Sequence, residues 1–339
     1  MVEGGGRKAG VSLEEVAAAA GVSKMTVSRV LRGASGFSEA TREKVMREID
    51  RLGYLPNRLA AAFGSVSSST LVGVCVPRLT SSLFGEVLES VDRTLARLGY
   101  QTMIGSHEQS PVEEEKWLRS FLSWRPAGVM LSTRNHTPGT VEMLRASGIP
   151  IVELWDFTTS PLDISVGFNH YDCGHQMGQF IASRNRKSIG YVGAMRGVKH
   201  MGSRRLEGFT DALEKLGLEI KASEILNDNP GFYAGFYGTE VLLDRAPYLD
   251  AIYYYDDTMA IGGLAFCTAN EIQVPGDIAI AGWGGIEAAS ILPQRLTTTT
   301  VSSHQMGKQA AEALVARLRG EPVQDTVVVP ARLVPGATV

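Results

Sequence analysis

A chain of 339 residues with 44% hydrophobic content carries enough apolar side chains for more than one buried core. That length points to two or three domains. The formal charge of −3 is small but uneven: residues 1–65 hold ten Lys+Arg against seven Asp+Glu, and the remainder 23 against 29. A basic head on an acidic body favours phosphate contact at one end only. No apolar run approaches the roughly 20 residues that span a bilayer, and the opening MVEGGGRKAG lacks the apolar segment of a secretory signal. Cys75, Cys173 and Cys267 are odd in number and far apart. They fit neither a disulfide framework nor a zinc site, so buried thiols in a reducing cytoplasm are expected.

In chain order, Val11 to Leu31 (VSLEEVAAAAGVSKMTVSRVL) comes first. Ser12 and Glu15 have capping-box spacing, in which hydroxyl and carboxylate each satisfy the other's free backbone amide. An alanine-rich helix then runs to Gly21, which tolerates the left-handed turn ending a helix. Ser23 can cap a second helix through Leu31, with Val27 and Val30 opposite Lys24, Met25, Ser28 and Arg29. Two short helices around a glycine turn form the helix-turn-helix plan, whose second helix enters the DNA major groove. An ordinary helical hairpin would show the same spacing. Ser38 to Tyr54 reads as a third helix, with Val45, Ile49 and Leu52 on one stripe.

The stretches AGVSKMTVSRVLRG, SEATREKV and YLPNRLAAAFGS match at fixed offsets, and with them the chain resembles the lactose/galactose repressor (LacI/GalR) family of bacterial transcription factors. The likeness covers nearly all of the chain from Val11 onward. LTSSLFGEVLES, HEQSPVEEEKWLRSFLSW, RNHTPGTVEML and GIPIVELWD look still more like the gluconate-operon repressors within it. The resemblance implies that Lys24, Met25 and Arg29 read base edges. Ser23, Thr26, Ser28, Ser38, Thr41 and Asn57 would position the head on phosphates. It also implies a hinge at Asn57–Gly64 that folds on operator DNA and pushes a side chain into the minor groove. Phe63 stands where the family has a leucine, and phenylalanine is itself a wedge residue. A solvated helix face and a Phe63 packed between hinge and core are the plainer alternatives.

GSVSSST, 64–70, has the small polar composition of a linker. Beyond it, short apolar runs alternate with amphipathic helices. TLVGVCVP, QTMIGSH, AGVMLSTR and PIVELWD read as strands, with crossover helices near Leu83–Leu98, Val112–Trp124 and Pro138–Ser147. The rhythm resumes with ISVGFN, Asp172–Arg184, SIGYVGAM, Arg204–Leu216, AIYYYDD, Met259–Asn270 and IAIAGWGG. This alternation predicts parallel sheets covered on both faces, in two similar subdomains. The expected fold is an N-terminal three-helix helix-turn-helix domain followed by an α/β core. The resemblance identifies that core with the type I periplasmic-binding-protein plan of two doubly wound parallel-sheet subdomains. Expected boundaries are 1–56 for the head, 57–70 for hinge and linker, and 71–339 for the effector-binding and dimerisation domain. Subdomain 1 would take about 71–168 and 300–324, and subdomain 2 about 169–299 and 325–339. Helix His304–Arg319 would return to the first subdomain and strand Thr326–Val334 would lie in the second.

Ligands of open parallel sheets sit outside the carboxyl ends of strands, so the cleft between subdomains is the expected effector site. Arg205, in RRLEGF, stands at the position of the family's effector-binding arginine, and its planar fork suits vicinal hydroxyls or a carboxylate. Asp256 and Asp257 replace the family's Asn-Asp pair, and Trp283-Gly284-Gly285 stands where an aspartate is usual. Phe84 follows the first strand, Arg134 and His136 the third, and Trp155 and Asp156 end the fourth. Arg134, His136 and Arg205 together favour a carboxylate, hence a sugar acid such as gluconate or a ketogluconate. Asp256 counts against it, because close carboxylates repel.

No G-x-G-x-x-G follows a strand, and no P-loop or metal-ligand cluster occurs, so neither catalysis nor a cofactor is expected. A transport-type sugar-binding protein, or a regulator answering a neutral sugar, a nucleobase or a protein co-repressor, is the alternative. The resemblance implies a homodimer on double-stranded, pseudo-palindromic operator DNA. The ending VPGATV carries no heptad tail for a tetramer.

Overall fold

A computed structural model describes residues 11–31, 36–54, 69–194, 203–227 and 230–339. The chain divides into two compact units, 1–68 and 69–339.

In the first unit, α1 (Leu13–Ala20), α2 (Lys24–Leu31) and α3 (Glu39–Leu52) surround a small core of Val16, Ala20, Val27, Val30, Val45 and Ile49. Ser12 and Glu15 form the full capping box, with the Glu15 amide 3.2 Å from Ser12 Oγ and the Ser12 amide 2.6 Å from Glu15 Oε2. Ser38 caps α3 by accepting the Thr41 amide at 3.2 Å. Caps of this kind contribute about 1 kcal/mol each, which matters to helices too short to be stable alone. Gly21, at φ 64°, ends α1 and turns the chain toward α2.

In the second unit the first parallel sheet has the order β11-β5-β4-β3-β1-β2. Its strands are β1 (Leu71–Val76), β2 (Gln101–Ser106), β3 (Gly128–Leu131), β4 (Ile151–Asp156), β5 (Ile164–Phe168) and β11 (Thr326–Val328). Between them run α4 (Ser82–Arg97), α5 (Pro111–Leu122) and α6 (Pro138–Ser147). The four inner strands β5, β4, β3 and β1 are buried almost throughout because helices cover both faces, while the edge strands β2 and β11 are mostly half-buried or exposed. The second sheet has the order β7-β6-β8-β9, with β6 (Ile189–Ala194), β7 (Ile220–Leu226), β8 (Ala251–Tyr254) and β9 (Ala279–Ala281). Its helices are α7 (His170–Ser183), α8 (Ser203–Glu214), α9 (Phe232–Arg245) and α10 (Asp257–Ala269). After the short α11 (Glu287–Ile291) comes β10 (Thr298–Val301), which pairs antiparallel with β12 (Ala331–Val334). Helix α12 (Ser303–Leu318) packs on α4.

One expectation is corrected. Thr326–Val334 is two strands, and the first of them, β11, pairs parallel with β5 at the edge of the first sheet. The Val329 amide still bonds to the Gly167 carbonyl at 2.7 Å, and Pro330, which has no amide to give, ends the pairing. The chain therefore leaves the first sheet at 329–330, later than the expected boundary at 324–325. Strand β7 and helix α9 were not foreseen.

Candidate functional site

On α2 the buried valines Val27 and Val30 fix which face looks outward. Ser23, Lys24, Met25 and Arg29 are exposed, Met25 at 71%, while Thr26 and Ser28 are half-buried. Ser23 Oγ accepts the Thr26 amide at 3.1 Å and lies 2.8 Å from the Thr26 hydroxyl, capping the helix. Lys24 pairs with Glu14 of α1, which holds the Glu14 carboxyl below its ordinary range. The Arg29 guanidinium lies against Gly36, where a side chain would strike it. Ser38 caps α3, and its hydroxyl lies 2.9 Å from that of Thr41. Together Lys24, Met25 and Arg29 give α2 an outward face of two cations and one unbranched apolar chain. Asn57 and Phe63 lie outside the described residues.

The second unit holds a cavity of about 550 Å³ where strands of both sheets end. It is large enough for a monosaccharide-sized ligand. The loops after β1, β2, β7, β8 and β9 supply most of its wall, as open parallel sheets dictate. Phe84, Trp155, Arg205, Asp256, Asp257 and Trp283 line it; Arg134 and His136 are not among its lining residues. Arg78, Gln109, Pro230 and Tyr255 line it too, and the sequence had not pointed to them.

Arg205 is the hub of one wall. It is 2% exposed, donates to the Tyr255 carbonyl, and lies 3.3 Å from His170 Nδ1. Its guanidinium carbon sits 4.0 Å above the Trp283 ring, a contact worth about 2 kcal/mol when desolvated. The arginine is brought there by close helix packing: a side chain at Gly174 of α7 would overlap the Arg205 carbonyl, and one at Gly208 of α8 the Tyr171 carbonyl. Burial, then the charges of Arg205 and Arg204, drive the His170 pKa well below its ordinary value. His170 is therefore neutral, and its Nδ1 accepts from the arginine. Its ring packs 4.5 Å from Phe168 and 5.4 Å from Trp283.

The opposite wall is aromatic. Phe84 meets Trp155 edge-on at 4.7 Å, and Trp155, at φ 79°, is 1% exposed with no hydrogen-bond partner for its Nε1. A positive φ in a bulky residue is strain of the kind that gathers at functional sites.

The two aspartates differ. Asp256 caps α10, its Oδ1 accepting the Met259 amide at 2.9 Å and the Thr258 hydroxyl at 2.6 Å. Burial raises its pKa, and those hydrogen bonds with Arg205 and Arg78 pull the other way. Asp257 is wholly buried. It accepts the Gly285 amide at 2.6 Å, the Ile286 amide at 3.0 Å and the Thr298 hydroxyl at 2.6 Å. Burial pushes its carboxyl up to about 6 against these donors. Its work is to hold the Trp283–Ile286 loop, which leaves Asp256 as the aspartate facing the ligand space.

Arg134 and His136 are engaged elsewhere. Arg134 pairs with Asp156 at 3.1 Å and donates to the Thr158 hydroxyl at 2.8 Å. His136 is sunk between Glu114, 2.6 Å from Nδ1, and Glu153, 3.6 Å from Nε2. The carboxylate-binding trio of Arg134, His136 and Arg205 is thus not assembled in the cavity, because two of its members have protein carboxylates for partners. Among the described residues no three His, Cys, Asp or Glu side chains are placed to hold a metal ion, and no helix is long and apolar enough to cross a membrane. All three cysteines are buried and free.

Compared with known families, residues 12–57 match the model of bacterial regulatory proteins of the lacI family, and residues 179–339 match a periplasmic binding protein-like domain. The HTH-type transcriptional regulator GntR of Escherichia coli strain K12 is 36% identical over 311 residues, covering 92% of this chain and 93% of that protein. Its namesake in Pseudomonas aeruginosa is 33% identical, covering 93% and 91%. A solved transcriptional regulator of the LacI family from Silicibacter pomeroyi superposes with a TM-score of 0.91 at 36% identity, covering 97% of this chain and 99% of that one.

Proposed function

Because the chain belongs to the lacI family of bacterial regulatory proteins, and is a transcriptional regulator rather than an enzyme, we propose that it is a cytoplasmic repressor of sugar-acid catabolism whose grip on operator DNA is controlled by gluconate or a related acid. The observation that carries this reading is the union, in one chain, of an outward-facing Lys24-Met25-Arg29 helix with a 550 Å³ cavity built around a buried arginine. The likeness to GntR supports the choice of ligand.

The protein acts as a homodimer, its two heads reading half-sites about one helical turn apart. Tyr233 and Tyr237, 81% and 46% exposed on α9, form an apolar face suited to burial against a second copy. Lys24 and Arg29 read guanines, and Met25 touches a thymine methyl. Ser23, Thr26, Ser28, Ser38, Thr41 and Asn57 position the head on phosphates, and Phe63 wedges the minor groove. Filling the cavity draws its two walls together and alters the hinge. To do so, the ligand must favour the non-binding arrangement, typically by about 1–3 kcal/mol.

A second reading, a neutral sugar or polyol, is favoured by Glu86 and Glu287, both exposed at the cavity, and by Asp256. Fluorescence anisotropy on a palindromic operator at fixed salt, with gluconate, 2-ketogluconate, galactose or a purine added, tests both. A response to the acids alone is expected. A response to galactose alone selects the second reading.

A further inference from the structure

With Arg134 and His136 committed to protein carboxylates, two arginines among the described residues line the cavity, Arg78 and Arg205. Arg205 is held flat on Trp283 with one Nη bonded to the Tyr255 carbonyl and the other to neutral His170. Two of its five N–H groups are thus spent on protein acceptors and one face of the guanidinium is covered by the indole, in a side chain only 2% exposed.

Arg78 is different. It lies just past β1, is half-buried, and donates from Nη1 to the Pro230 carbonyl at 3.1 Å and from Nη2 to the Thr80 hydroxyl at 3.3 Å. Both acceptors are neutral, and among the described residues Arg78 makes no ion pair. The Pro230 bond also crosses the cavity, joining the loop after β1 in the first sheet to the loop after β7 in the second.

Gln109, which also lines the cavity, carries a buried amide oxygen with no partner. It sits at φ 62° directly after Glu108 at φ 47°, two consecutive non-glycine residues in the left-handed region. Trp155 Nε1 is likewise unpartnered on the same wall. A ligand in the cavity would give both of these buried polar atoms a partner.

We propose that Arg78 is the specificity-determining cation of the site, gripping the ligand's carboxylate while Gln109 accepts a hydrogen bond from one of its hydroxyls. This rests on the sugar-acid reading above. The carboxylate replaces the neutral Pro230 and Thr80 oxygens as partner of the guanidinium, so one exchange both selects an acid and changes the tie between the two walls. Trp155 Nε1 donates to a neighbouring ligand oxygen.

The test is calorimetry of the full chain with D-gluconate and with D-glucitol, which has the same hydroxyl-bearing carbon chain and no carboxylate. The wild type is expected to prefer the acid. Arg78→Ala should shrink that preference about tenfold to a hundredfold through loss of the acid. Arg78→Lys, which keeps the charge and loses the fork, should recover part of it. Gln109→Ala should weaken both ligands alike. A wild type that prefers the acid, with Arg78→Ala preferring it as strongly, overturns the role of Arg78 and leaves the sugar-acid reading standing. A wild type that takes up neither compound overturns both, and the wild-type titration alone separates the two failures.

Discussion

His136 offers the sharpest test of how the first subdomain is held together. Its ring is 3% exposed, with Glu114 on one nitrogen and Glu153 facing the other. Burial alone would pull its pKa down, but the two glutamates outweigh it and push it up to about 9. A group that binds its proton more tightly folded than unfolded contributes stability that is complete below the unfolded value, near 6.5, and fades as pH rises through 9. The rise from 6.5 to about 9 corresponds to roughly 3 kcal/mol. Glu114 also faces Cys75, whose thiol burial holds above its ordinary range, so that neighbour stays neutral throughout. The perturbation is His136→Gln, read by urea unfolding from pH 6 to 9.5. All four tryptophans lie at positions 117, 124, 155 and 283, so their fluorescence reports the unit 69–339. The stability gap between wild type and variant should be widest at pH 6 and narrow by about 3 kcal/mol by pH 9.5. A gap that stays constant across that range would refute a buried imidazolium.

Three further outcomes are expected. Arg29→Ala should weaken operator binding by about 1–3 kcal/mol while non-specific binding changes much less, measured by anisotropy at one salt concentration; equal losses would exclude base reading. Thr298→Val removes one of the donors to buried Asp257 and should cost about 1.5–3 kcal/mol at pH 8. That cost should shrink as pH falls below about 6, where Asp257 takes up its proton. Gly285→Ala places a methyl 2.5 Å from Thr300 Cγ2 at φ 71°, so unfolding should come at lower urea, by about 2 kcal/mol, with weaker gluconate uptake in calorimetry.

The capping pairs and the apolar runs were legible because they are local. Ser12–Glu15 and Ser38–Thr41 need only a spacing of three, and α6 begins and ends where the Pro138–Ser147 pattern does. Strand β7 was missed because it lies at a sheet edge and alternates half-buried with exposed residues, with no run of apolar ones. Helix α9 was missed because FYAGFYG reads as a loop. Its Gly235 is there for contact with α10, since any side chain would overlap the Met259 carbonyl. The cavity's aromatic wall followed from strand ends, which sequence rhythm gives, whereas Arg205, on α8, was marked by the family resemblance alone. Which cation pairs with which carboxylate does not follow from rhythm: Glu114 of α5 reaches His136 across 22 positions, and only tertiary packing joins them. Arg78 and Gln109 carry no sequence signal at all beyond following a strand.

The proposed control of operator binding couples two separate sites on one polypeptide. Linkage requires any such coupling to be reciprocal. Gluconate affinity is therefore to be measured by calorimetry on the free protein and on the protein saturated with operator. The two values should differ by about 5-fold to 150-fold, and by the same factor as operator affinity with and without gluconate. Identical affinities in the free and DNA-bound states, with gluconate bound in both, would rule that coupling out.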